Sequence, residues 1–134
     1  MAFLVGAVLA LSVGLFATYV GLDRDRAFYP TVTIVIASYY ALFAVMGGSL
    51  DVLLIESIVI VGFLGASIAG FKSSLWLVVA ALAAHGLFDF VHGSLITNPG
   101  VPVWWPSFCL SYDVVAAGYL ALLLLRSRAS APVS

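Results

Sequence analysis

The chain is short of charge. Lys and Arg number 5 and Asp and Glu 6 among 134 residues, so only 8% of the sequence is charged, against about 25% in an ordinary soluble domain. Hydrophobic residues make up 64%. Such a chain cannot cover itself with polar side chains in water, which excludes a soluble globular domain. The formal net charge is −1, and the sequence has neither a basic run nor a glycine-rich phosphate loop, so nucleic acid is not among the expected partners. Cysteine occurs once, as Cys109. That excludes an intramolecular disulfide and a cysteine metal cage, and Cys109 reads as a small buried apolar residue.

What the sequence has in quantity is long apolar runs. A bilayer core needs about 20 apolar residues per helix, and five stretches meet that need. They predict an all-α integral membrane bundle with helices over about 2–21, 30–47, 50–71, 75–96 and 106–126. Residues 1–134 form a single domain, with 127–134 as a flexible tail. The first stretch lacks a basic leader and exceeds the ~7–15-residue core of a signal peptide, so it reads as a retained helix. Pro30 suits a first helical turn. Ser49, and Ser73 or Ser74, suit N-caps. Asn98-Pro99-Gly100-Val101-Pro102 ends the fourth helix. Gly62, Ala66 and Gly70, and the alanines 80, 81 and 84, are small-residue rows that suit close helix packing.

The boundary at Gly47-Gly48-Ser49 is the least marked, and reading through it would leave four spans. The basic residues decide for five. With five spans Arg24, Arg26, Lys72, Arg126 and Arg128 all fall on one side, as the positive-inside rule requires of cytoplasmic loops. This predicts a multi-pass protein of the cell membrane with its N-terminus outside and its C-terminus cytoplasmic.

Against that apolar background the ionisable residues stand out, because each costs about 2.5–3.5 kcal/mol at membrane depth. His85, Asp89 and His92 fall within an arc of roughly 60° on one helix. At ~1.5 Å per residue, Glu56 lies about 9 Å and Asp113 about 10 Å below the outer ends of their helices, level with this stripe. Unpaired, the five groups would oppose insertion by on the order of 10 kcal/mol. A shared site is therefore expected in the outer half, with the proline- and tryptophan-bearing loop 98–106 as a lid. Imidazole and carboxylate suit zinc or iron, so His85, Asp89 and His92 are read as metal ligands. Glu56 and Asp113 are read as catalytic proton carriers, and Tyr39, Tyr40, Tyr112, Trp104 and Trp105 as a substrate pocket.

Three functions follow from such a site. The first is an intramembrane metal-dependent enzyme, a hydrolase acting on a lipid or lipid-like molecule. The arrangement is similar to the histidine–aspartate zinc sites of membrane hydrolases such as the alkaline ceramidase group. Those proteins have seven helices and a different histidine spacing, so the likeness implies a chemistry and not membership. The second is a metal-free acid–base isomerase or cyclase of a sterol- or terpene-like substrate, using a carboxyl group kept neutral by its apolar surroundings. The third is a proton- or metal-ion-handling protein, a subunit of a larger complex or a homo-oligomer. The cytoplasmic halves of the third to fifth helices lack ionisable groups, which favours the first two.

Overall fold

The computed structural model describes residues 1–129, which fold into helices joined by turns and loops, with no strand among them. Five helices are long and apolar enough to cross a membrane: α1 (Ala2–Val20), α2 (Phe28–Met46), α3 (Leu50–Lys72), α4 (Leu75–Leu95) and α5 (Trp105–Ala129). The chain is a multi-pass helical membrane bundle. The boundaries follow local chemistry. Gly21, at φ 90°, takes the left-handed conformation that ends α1, and its N–H bonds the Ala17 carbonyl. Ser49 and Ser74 cap α3 and α4, each accepting a backbone N–H on its hydroxyl oxygen. The second helix starts at Phe28 rather than Pro30, because proline is equally tolerated a turn inside the N-terminus, where no carbonyl waits for its missing N–H. The fifth runs on to Ala129, past the expected end at 126. The rest of the expected tail, 130–134, lies outside the described residues.

All the loops that carry the basic residues lie at one end of the bundle. The Arg26 guanidinium donates to the carbonyls of Gly70, Phe71 and Ser73 at 3.1–3.4 Å, closing the C-terminus of α3, where partnerless carbonyls favour a cation. The Arg128 guanidinium sits 5.4 Å from the Trp76 ring centre. The α1–α2 turn, the α3–α4 turn and the end of α5 thus meet, as five crossings require. This end also has hydroxyls: Thr18 bonds both Asp23 and, at 2.7 Å, the Tyr119 hydroxyl.

The helices pack in the order α1–α5–α4–α3–α2, and α2 also touches α4. The closest approach is on α1, where Gly6, Ala10, Gly14 and Ala17 form a buried row. A Cβ at Gly6 would fall 2.2 Å from Ser111 Oγ and 2.3 Å from the Phe108 carbonyl oxygen, so the α1 and α5 backbones are nearly in contact there. The packing rows expected on α3 and α4 are largely not used. Gly62 faces open space and Ala80 and Ala84 are exposed, while Gly70, against Val78, and Ala81 are buried. Sequence spacing finds small residues, but every face of these helices is apolar, so nothing in the spacing says which face meets protein and which meets lipid.

Among the described residues, α1 and α2 share no packed face although they are consecutive. The gap between them is a groove of about 590 Å³ walled by α1, α2 and α5.

This packing predicts a contrast between two glycines. Gly6→Ala should destabilise the bundle by about 1–3 kcal/mol through overpacking, and Gly62→Ala should change it by less than about 0.5 kcal/mol. Unfolding in a detergent titration, followed by circular dichroism, measures both.

Candidate functional site

The polar residues expected in one layer are there, and they are among the most deeply buried of the described side chains. Glu56, Asp89 and Asp113 are 0% exposed, His85 1% and His92 2%. The α4 stripe supplies His85, Asp89 and His92 on its buried face, α3 supplies Glu56 and α5 supplies Asp113. The structure divides these five into two linked groups.

The first group is His85, Asp89 and Asp113. His85 Nδ1 lies 2.6 Å from Asp113 Oδ2 and 3.2 Å from Asp89 Oδ2. Only the Asp113 contact has hydrogen-bond alignment, which fits a nitrogen that carries a single hydrogen. Ligand atoms of the three residues all fall within 4.8 Å of one another. Gly86 makes this proximity possible. A Cβ there would stand 3.2 Å from Asp113 Cβ and 3.3 Å from the Leu110 carbonyl oxygen, so a larger residue would wedge α5 away from His85.

The second group is His92 and Glu56, joined by a residue the sequence did not mark. His92 Nε2 lies 2.7 Å from Glu56 Oε1. Asn98, from the α4–α5 loop, donates through Nδ2 to the same oxygen at 3.0 Å and to the Tyr40 carbonyl at 3.3 Å. Its Oδ1 accepts the Gly100 N–H at 3.2 Å. The loop is pressed onto the end of α2, since a Cβ at Gly100 would collide with the Phe43 carbonyl. Part of the expected lid is thus built into the site through Asn98. A polar residue beside Pro-Gly reads as turn chemistry, and the sequence gives no sign that its amide turns inward.

Tyr40 joins the two groups. Its hydroxyl donates to Asp89 Oδ1, and its ring stacks on His92 with centres 4.1 Å apart and planes 18° apart. Of the other expected pocket residues, Trp105 packs against Tyr39 at 5.0 Å and Tyr112 is half-buried, and all three line the groove. Trp104 is 54% exposed and leans against Trp105, with ring centres 5.7 Å apart and planes tilted by 60°.

Each carboxylate has an oxygen without a hydrogen-bond partner among the described residues: Glu56 Oε2, Asp89 Oδ2 and Asp113 Oδ1. Buried carboxylate oxygens left this way are costly, and they leave capacity for a cation, a proton or a ligand. A neutral His85 with two ionised aspartates carries −2, which one divalent cation balances in a medium that penalises net charge. Two ligands of a tetrahedral zinc lie roughly 3.4 Å apart when bonded at ~2.1 Å. His85 and Asp113, now at 2.6 Å, would therefore part by under ~1 Å to admit it. The residues the geometry offers a metal are His85, Asp89 and Asp113; His92, expected as a ligand, is engaged with Glu56.

Asn98→Leu tests how the second group is held. It leaves Glu56 with His92 alone and should destabilise the protein by about 1–3 kcal/mol, read as the shift of a detergent unfolding midpoint. An unshifted midpoint would show that Asn98 does not support the carboxylate.

No protein-family model, curated protein or solved structure matches the chain, and any reading of function rests on this geometry.

Proposed function

We propose that the protein is an intramembrane metal-dependent enzyme, a hydrolase of a lipid or lipid-like substrate, centred on His85, Asp89 and Asp113. The observation that carries this reading is the convergence of these three ligand-bearing side chains, fully buried and with carboxylate capacity to spare. Three protein ligands leave a coordination position for water or substrate, as in catalytic zinc sites. The nitrogen and oxygen donors suit zinc or iron. Such a cation lowers the pKa of bound water toward ~7 and polarises a carbonyl or phosphoryl oxygen.

The surrounding residues have roles in this scheme. Tyr40 fixes the orientation of Asp89 by donating its hydroxyl hydrogen to it, as hydrogen-bond donors behind metal-ligating carboxylates do. Glu56, held by His92 and Asn98 and with Oε2 free, is the proton carrier. The enclosing bundle limits water at the reacting bond. By the charge of the basic loops, this layer belongs to the outer half of a cell membrane, with the N-terminus outside and the C-terminus cytoplasmic.

Elemental analysis of purified protein tests the metal directly. The wild type should carry one zinc or iron per chain. His85→Ala and Asp113→Asn should lose it, and His92→Gln should keep it. Tyr40→Phe should weaken metal binding by about 10–100-fold, measured by competition with a chelator. A metal-free wild type, or full metal content in both ligand variants, would sink this reading and leave acid–base chemistry by the same carboxylates. Orientation is checked by cysteine labelling in intact cells: a membrane-impermeant maleimide should reach Val103→Cys and not Ser127→Cys.

A further inference from the structure

The basic end of the bundle carries positive charge that the protein does not neutralise. Asp51, Glu56, Asp89 and Asp113 lie elsewhere, so Asp23 and Asp25 alone stand against Arg24, Arg26, Lys72, Arg126 and Arg128. Both acids are engaged in their own turn. Asp23 accepts the Thr18 hydroxyl, and Asp25 accepts the Ala27 N–H at 2.9 Å. Among the described residues neither forms an ion pair with Arg24, Arg26, Lys72 or Arg128.

Loose cations are ordinary at a membrane boundary, but two of these are held in place beside the α3–α4 turn. Arg26 donates to the Phe71 carbonyl through Nε at 3.2 Å and Nη2 at 3.1 Å, and through Nη2 to Gly70 and Ser73. Its Nη1 takes no part in these bonds and keeps its hydrogens for another acceptor. The Arg128 guanidinium lies 5.4 Å from the Trp76 ring centre. A guanidinium over an aromatic face still offers the N–H groups of its own plane. Lys72, the last residue of α3, is exposed in the same turn.

The turn also has an apolar shoulder. Ile68, Phe71 and Leu77, on the helical turns that adjoin it, are exposed, and Trp76 is half-buried, as suits an indole at a membrane–water boundary. Cations above and apolar side chains below match a phosphate that carries hydrocarbon chains. A soluble anion would use the cations alone. A choline headgroup would bring its own cation to a surface already rich in them.

We infer that the α3–α4 turn binds an anionic phospholipid, its negative charge balanced by Arg26, Lys72 and Arg128 and its chains lying along Ile68, Phe71 and Leu77. This rests on neither the metal nor the substrate of the proposed function.

The test uses a Trp104→Phe, Trp105→Phe background, which leaves Trp76 as the sole tryptophan, in dodecyl maltoside micelles. Phosphatidylglycerol brominated on its chains, or phosphatidylcholine brominated alike, is titrated in, and bromine quenches an indole on contact. Half-quenching should need less phosphatidylglycerol than phosphatidylcholine by on the order of tenfold or more. Lys72→Gln and Arg128→Gln should each cut that preference about fivefold. Arg24→Gln removes the same charge from the α1–α2 turn and should cut it less. Equal quenching by the two lipids overturns the inference. So does an equal loss in all three variants, which would mark attraction to the net charge of that end and no site at the turn. Inorganic phosphate at matched ionic strength should not reverse the quenching; reversal would show a site for free phosphate and overturn the assignment to lipid. Should the tryptophan background fail to fold, native mass spectrometry of the unsubstituted protein and the three glutamine variants reads the retained phosphatidylglycerol instead, with the same outcomes.

Discussion

The structure depends on keeping three carboxylates and two imidazoles neutral as a set where water cannot reach them. All five are at most 2% exposed, and isolated charges in such surroundings cost far more than a bundle of this size can offset. Every one is therefore in contact with a partner of opposite type. Glu56 and His92 form one neutral pair, whichever of them holds the proton. His85 between Asp89 and Asp113 forms the other group, with one carboxylate more than its imidazole can balance. That surplus is why the second group, and not the first, calls for a divalent cation or an additional proton.

Much of the packing serves this arrangement. Gly86 brings α5 against α4 at the height of Asp113. Gly100 allows the α4–α5 loop to lie on the end of α2, which puts the Asn98 amide against Glu56. Tyr40 contacts both groups at once, through its hydroxyl, ring and carbonyl, so a change in one group is felt by the other. The apolar groove has Cys109 in its wall, one turn from Asp113 along α5.

The number of helices, their caps at Ser49 and Ser74, and the gathering of basic residues at one end could be read from the sequence, because hydropathy length and loop charge are one-dimensional signals. So could the level of Glu56, His85, Asp89, His92 and Asp113, since helical rise converts sequence position into depth. Which carboxylate faces which histidine could not. That depends on the rotation of α3 and α5 about their own axes, and helices apolar on all sides carry no marker of rotation. Asp113 therefore emerges beside His85, and His92 beside Glu56, only in three dimensions. The groove was hidden for a related reason: it exists because α1 packs on α5 instead of its sequence neighbour α2. The Gly6–Ala17 row that directs this packing sits in a helix that looks uniformly apolar.

A crystal structure with anomalous data at the absorption edge of the bound element tests the central claim most directly. The account predicts one peak bonded to His85, Asp89 and Asp113 at about 2.0–2.2 Å, with His92 still on Glu56. No peak there, or a peak between His92 and Glu56, would contradict it.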